Sequence, residues 1–278
     1  MTRTARSRKH ANFDLEKRLS AVEAWVVRDP QTFKGAWCAC ARPNRAPFER
    51  ICIDLGCGKG SFIAGRAPLQ PDTLFVGVDA EPVCSMHGAE LACDADLENA
   101  LFPLDSDPRL GRLFGAGEVD EITMNFPTPF PQKKKAAFRL THYRRLMEYR
   151  GVLKDGGSIL LRTDSRPLLD YSLTQFQDAG YTITWVSFDH RSSASHLPAT
   201  EYERKLTAKG ARVLALEAVP DRTPLDQARA QARYDASLFD FLPDNLDDLR
   251  YIPHGMENAI ENMRNRLARK RARCAPPR

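Results

Sequence analysis

Asp54, Asp79 and Asp105 each stand where an apolar run of β type ends, and Asp54 leads into the turn Leu55-Gly56-Cys57-Gly58-Lys59-Gly60. Glycines let a backbone bend sharply and let a ligand approach where a Cβ would otherwise stand. The residues after the turn, Ser61 to Ala67, read as a helix start, whose first amides offer hydrogen-bond donors. Strand, glycine turn and helix together make a cradle of the nucleotide-binding kind. The spacing is G-x-G-x-G rather than G-x-G-x-x-G, and Asp54 sits where it can meet a cationic amino group. That combination favours S-adenosylmethionine over a dinucleotide. The glycines alone would fit a tight turn in another α/β protein, because short glycine motifs recur without function. Asp79 shifts the balance. It closes the apolar run Thr73 to Val78 and follows the glycines by about 20 residues, the distance at which a carboxylate meets a ribose hydroxyl pair in doubly wound folds. Its plainer alternative is a cap on the helix that opens at Glu81-Pro82.

These acids need a parallel sheet to hold them. Ile51 to Asp54 reads as the first strand, Thr73 to Val78 as the second, Ala100 to Leu104 as the third, Glu121 to Phe126 as the fourth and Ser158 to Arg162 as the fifth. A parallel crossover takes a dozen or more residues, and Pro82 to Asn99 supplies the helix between the second and third. Pro127-Thr128-Pro129-Phe130-Pro131 stops the fourth strand, because proline neither donates to a ladder nor continues a sheet, so a rigid loop leaves the carboxyl edge there. Gln132 and Lys133-Lys134-Lys135 follow. A helix carrying Tyr143, Leu146 and Met147 ends at Gly151, Asp155-Gly156-Gly157 turns into the fifth strand, and Thr163-Asp164 lies at that strand's carboxyl end. Pro167 to Ala179 gives another helix, stopped by Gly180, and Tyr181 to Val186 with Arg212 to Val219 form a terminal hairpin around a long loop. Ahead of the sheet, Leu15, Leu19, Val22, Val26 and Val27 predict a helix within 12–29 that Asp29-Pro30 ends, followed by loop from Gln31 to Pro47. The expected class is α/β: a Rossmann-like class I S-adenosylmethionine-dependent methyltransferase sheet, five parallel strands plus an antiparallel terminal hairpin. Ligands of such sheets bind at the carboxyl edge, near the switch in strand order.

With 278 residues, 42% of them hydrophobic, the chain can bury a full α/β core and carry terminal additions. It divides into a basic N-terminal arm (1–11), a methyltransferase domain (12–219) and a C-terminal extension (220–278), helical and basic at its end. The net charge is +5 and gathers at the ends: Arg3, Arg6, Arg8 and Lys9 at one, Arg264, Arg266, Arg269, Lys270, Arg271 and Arg273 at the other. Two basic ends point to a polyanion such as RNA or DNA; the plain alternative is a solubilising tail. In the extension, Leu225 to Leu242 predicts one helix, acids cluster from Asp240 to Asp248, and Met256 to Arg273 predicts a basic helix. Seven cysteines form no disulfide or zinc pattern, and the six histidines show no paired metal spacing. His190 and His196, in a Ser-rich loop, read as solvated. Asn12 to Lys17 makes no apolar signal core, and no run approaches the ~18 apolar residues of a membrane span. The expectation is a reduced, cytoplasmic enzyme without membrane or metal; monomer and homodimer both stay open.

From about Arg8 to Ala218 the chain resembles the bacterial tRNA guanine-N7 methyltransferases that modify guanosine 46. The resemblance rests on Asp29-Pro30-Gln31-Thr32-Phe33-Lys34-Gly35-Ala36-Trp37, the Ile53 to Gly60 turn, Asn125 to Pro131, Arg139-Leu140-Thr141, Thr163-Asp164, and Thr200-Glu201-Tyr202-Glu203 with Lys209-Gly210. The last of these is the most family-specific. It implies S-adenosylmethionine as cofactor and tRNA as partner. It implies cofactor contacts at Asp54, Gly56, Gly58, Asp79, Asp105 and Thr128, with aspartate at 54 and 79 where the family usually carries glutamate. Substrate contacts are implied at Gln132, Lys133, Asp164, Thr200, Glu201, Tyr202 and Glu203, and catalytic roles at Thr128 and Asp164. Two departures stand out. Thr128 and Phe130 replace the family's aspartate and tryptophan, and Gln132 replaces a lysine, with Lys133 adjacent. The basic final helix is expected to contact tRNA. Alternatives are a tRNA-binding relative with weakened or lost turnover, a methyltransferase for another RNA base or a small molecule, and, more distantly, a nicotinamide dehydrogenase.

Overall fold

The computed structural model describes residues 13–42, 46–105, 107, 109–190, 197–221, 234–249, 251–253 and 255–274. The basic arm, His196 and residues 222–233 lie outside them. In chain order the strands are β1 (Val26–Val27), β2 (Arg50–Leu55), β3 (Thr73–Val78), β4 (Ala100–Pro103), β5 (Val119–Asn125), β6 (Leu153–Thr163), β7 (Tyr181–Ser187) and β8 (Leu214–Pro220). The α-helices are α1 (Leu15–Ala21), α2 (Trp37–Cys40), α3 (Ser61–Arg66), α4 (Pro82–Asp94), α5 (Leu110–Leu113), α6 (Tyr143–Val152), α7 (Arg166–Asp178), α8 (Glu201–Thr207) and α9 (Glu257–Cys274).

All eight strands join one sheet, ordered β1-β4-β3-β2-β5-β6-β8-β7. The strands from β1 to β6 pair in parallel, and β8 lies antiparallel between β6 and β7. This is the expected class I sheet with its terminal hairpin, plus one short edge strand. Alternation along the central strands makes two cores. Ile51, Ile53, Leu55, Leu74, Val76 and Val78 face α5, α6 and α7, whereas Cys52 and Phe75 face α1, α3 and α4. A strand covered on both faces has no polar side to show, which is why these segments read as unbroken apolar runs.

The N-terminal expectation needs correction. The helix ends at Ala21, a 3-10 turn follows (Glu23–Trp25), and Val26 and Val27 pair with Phe102 and Pro103 as β1. Adjacent β-branched valines suit a pleated edge, and their spacing from Val22 happens also to match a helix. The segment read as loop holds α2, which seats Trp37 in full burial with its indole donating to Leu113 O at 2.8 Å. β6 begins before the predicted Asp155-Gly156-Gly157 turn and runs through it. His190 is only 6% exposed rather than solvated: its ring stacks on Trp185 at 5.4 Å, and burial holds its pKa below the ordinary histidine range.

The described extension packs onto the sheet's helices. Leu238, Met256 and Ile260 bury against Leu168 and Tyr171 of α7, and Tyr234 stacks on Tyr143 at 4.0 Å. Where the spacing predicts a helix to Leu242, residues 234–237 are non-helical and Leu238–Phe241 is one 3-10 turn capped by Ser237. The final basic helix forms as α9. No described helix is long and apolar enough to cross a membrane.

Candidate active site

The chain builds outward from β2 to β3 and β4, then returns to set β5 on the other side of β2, so the strand order reverses between β2 and β5. The glycine turn stands at this switch. Gly56, Gly58 and Gly60 have φ of +76°, +53° and +76°, a region glycine enters without steric cost. A Cβ on Gly60 would stand 2.7 Å from the Gly88 Cα, so α3 and α4 close only around a bare backbone. The turn is tied to β3: Gly56 N donates to Val78 O at 2.7 Å, and Gly58 N donates to Asp79 Oδ2 at 3.0 Å. The other Asp79 oxygen accepts from Glu81 N at 3.0 Å ahead of α4. Asp79 therefore braces the cradle and also serves the helix entrance that was its plainer alternative.

Beside the turn opens a cavity of about 800 Å³. The structure brings Asp54, Gly56, Gly58, Thr128, Gln132, Asp164, Thr200, Glu201 and Tyr202 together on its wall. Asp79, Asp105, Lys133 and Glu203 are not wall residues. Asp105, past the end of β4, accepts from Asp107 N at 2.8 Å and lies 3.7 Å from Arg112. Lys133 is exposed, and within the run Lys133 to Lys135 it is Lys135, one turn after Gln132, that reaches the wall, where Lys59 and Lys205 also stand.

A buried polar chain, only partly legible in the sequence, connects the two halves of the site. Asp54, 1% exposed, accepts from Asn125 Nδ2 at 2.9 Å and Thr123 Oγ1 at 3.2 Å. The Asn125 carbonyl accepts from Arg162 Nη1 at 3.1 Å, and Arg162 Nη2 donates to the Glu203 carboxylate. Arg162 and Glu203 are each 1% exposed. Glu203 in turn closes a capping box with Thr200, whose hydroxyl accepts from Glu203 N at 2.9 Å, and this fixes the start of α8 over the cavity. Burial pushes the Asp54 carboxyl up to about 6, against the opposing pull of the Asn125 and Thr123 hydrogen bonds. Asp54's direct donors are both neutral, so the cavity presents an acid whose charge is poorly offset. One signal for Arg162 was available: an arginine in the apolar strand Ile159-Leu160-Leu161-Arg162 needs a buried partner.

The proline loop and the extension form the remaining walls. Phe126 and Phe130 take φ of +53° and +43°, an uncommon and strained region for bulky side chains. Arg139 holds the loop in place. Fully buried, it donates to Phe130 O at 2.8 and 3.1 Å, to Pro129 O at 3.2 Å and to Ala236 O at 2.8 Å, with its guanidinium 4.4 Å above the Tyr171 ring. From the extension, Phe239, Gly255, Asn258 and Ala259 line the cavity, and Tyr251 Oη donates to Asp164 Oδ2 at 2.7 Å. Burial, the charge of Asp164 and that of Glu257 push the Tyr202 hydroxyl up to about 12. The sequence reading placed no extension residue in the site, because the contacts join positions some 90 apart in the chain and no local pattern announces them.

A sequence family described as putative methyltransferase matches residues 49–216. A tRNA (guanine-N(7)-)-methyltransferase of Listeria monocytogenes is 34% identical over 206 residues, covering 74% of this chain and 94% of the relative. Proteins of the same name from Streptococcus agalactiae (34% over 204 residues, 73% of this chain and 95% of the relative) and Geobacillus kaustophilus (32% over 203 residues, 73% and 92%) align similarly. The matched stretch carries the glycine turn, the proline loop, Asp164 and the α8 cap, and with this identity across nearly the whole length of its relatives the chain belongs to the tRNA (guanine-N(7)-)-methyltransferase family.

Proposed function

We propose that this protein transfers a methyl group from S-adenosylmethionine to N7 of a guanosine in tRNA, at position 46 by the family resemblance. The observation that carries the reading is the switch-point cavity, with a glycine cradle and a buried aspartate whose hydrogen-bond donors are neutral, in a chain of this family. Such a carboxylate fits the cationic end of S-adenosylmethionine, which supplies the electrophilic methyl group when bound. Gly56 and Gly58 shape the floor, and Asp79 braces it. Guanine N7 carries a free lone pair on the major-groove edge, so no residue has to remove a proton first. The protein's task is to bring N7 within about 3–3.5 Å of the methyl carbon and in line with it. Asp164, Thr200 and Tyr202 surround the space for the base. Asp164 supplies the negative field that offsets the positive charge growing on the purine. Glu203 acts through Arg162 and the α8 cap, positioning Thr200 rather than meeting the base. The test is purified protein, labelled S-adenosylmethionine and unmodified tRNA transcript, followed by nucleoside analysis; label in 7-methylguanosine is expected, and label only elsewhere would reject the assignment.

The Asp54 environment sets a pH dependence. Its pKa is raised from 3.8 to about 6 in the fold, so the folded state holds this proton more tightly than the unfolded chain. The group therefore costs stability as pH rises through about 4 to 6, and a bound cation offsets that cost. Calorimetry should find cofactor affinity flat above pH 6 and falling by up to about 10-fold per pH unit below it. Asp54→Asn should bind more weakly and lose the dependence; an unchanged profile would remove Asp54 from the cofactor site.

Thr128 lines the cavity at the family's aspartate position. A hydroxyl accepts fewer donors than a carboxylate and adds no negative field. Charged hydrogen bonds are worth roughly 1.5–3 kcal/mol against about 1 for neutral ones, so Thr128→Asp should raise kcat/KM for tRNA on the order of 10-fold. A slower variant would show a site rebuilt around threonine.

A further inference from the structure

Gln132, Lys135 and Phe138 recur every third residue through the 3-10 helix Lys133–Phe138 and its N-cap. With about three residues per turn, such positions eclipse one another along one face. Gln132 and Lys135 line the cavity. Phe138 continues the same row outward, about 6 Å beyond Lys135 at the 3-10 rise of about 2.0 Å per residue. The short helix turns Ala136 inward, fully buried, and leaves Phe138 61% exposed, which reverses the usual order for an alanine and a phenylalanine. The Phe138 ring lies 5.9 Å from that of cavity-lining Phe130, tilted 46° to it. Arg139, the next residue, is fully buried and clamps the Phe130 carbonyl, so this aromatic pair sits on a braced loop.

An exposed ring flanked by exposed Lys133, Lys134 and Lys135, and continuous with a cavity, has the chemistry of a single-stranded nucleic-acid platform. Bases stack on the aromatic face while ammonium groups meet the phosphates. We propose that Phe138 is a stacking platform for an unpaired base of the RNA next to the nucleotide held in the cavity, with the intervening phosphate on Lys135. The proposal rests on the reading that this cavity takes a nucleotide of tRNA. A protein docking there would need a broader apolar patch than one ring, and the lysines favour a polyanion.

The experiment uses the full-length protein and tRNA transcripts carrying 2-aminopurine immediately 5′ or 3′ of the target guanosine. Stacking should quench the probe on one side. Phe138→Ala should abolish that quenching and lower kcat/KM on the order of 10-fold through KM rather than kcat. Affinity for S-adenosylmethionine should not move, and Phe138→Trp should restore both readouts. Quenching lost in Phe138→Ala while neither protein forms 7-methylguanosine would uphold the platform and overturn the reaction assigned to the site. Methylation with the same KM and the same quenching in Phe138→Ala would overturn the platform and leave the reaction standing.

Discussion

Asp164→Asn is expected to lower kcat/KM for tRNA on the order of 100-fold while leaving the fold intact. Preorganised charge aimed at where charge develops is commonly the largest single contribution to catalysis, and losing one such group costs roughly 10²–10³ in rate. The asparagine keeps the size of the aspartate and an oxygen to accept from Tyr251, whose hydroxyl lies 2.7 Å from Asp164 Oδ2. What it removes is the negative field beside the purine. Asp164 follows the last residue of β6 and lines the cavity, so it is placed by the sheet rather than by a free loop. Steady-state kinetics on tRNA transcript, with the melting temperature and cofactor affinity as controls, reads the effect. An asparagine variant as fast as the parent would withdraw the role given to Asp164.

The second large effect is on stability. Glu203→Ala leaves the Arg162 guanidinium, 1% exposed, without its carboxylate. Breaking a buried pair from one side costs about 3–5 kcal/mol, because the remaining charge stays desolvated. For a chain of this length each kcal/mol lowers Tm by about 2–4 °C, so a fall of roughly 10 °C is expected. The α8 capping box and the Arg162 bond to Asn125 loosen with it, so cofactor affinity should drop even well below the melting transition. Replacing both charges, Arg162→Met with Glu203→Leu, should recover most of the stability, since a buried pair is often matched by apolar residues of similar volume. It should not recover cofactor affinity, because Asn125 has lost the donor that orients it towards Asp54. Thermal and denaturant unfolding check the first part and calorimetry the second. Full stability in Glu203→Ala would mean the pair carries no structural weight.

The parallel sheet was legible because each central strand is an apolar run that leads into an acid or a proline, with the helix-opening prolines Pro82 and Pro167 marking where α4 and α7 begin. The edge was not. Two valines make a strand only because Phe102 and Pro103 stand beside them, which no local pattern carries. Within the site, Asp54, Gly56, Gly58, Thr128 and Asp164 all line one cavity: the acids and glycines stand at strand ends that the sequence itself marks, and Thr128 at a position that the family resemblance marks. Glu203 shows the limit. Its spacing from Thr200 marks a capping box as clearly as it marks a family motif, yet only the fold shows its carboxylate on Arg162 rather than on the cavity wall. The walls drawn from Phe239 and Asn258, and the Tyr251 bond to Asp164, depend on tertiary packing of the extension against α7.

The most direct test of the central claim is nucleoside mass spectrometry with site mapping on tRNA from cells lacking this protein, and from the same cells with it restored. The account predicts that 7-methylguanosine at position 46 disappears with the protein and returns with it. Position 46 methylated to the same extent in the cells lacking it as in the cells with it restored would contradict the account.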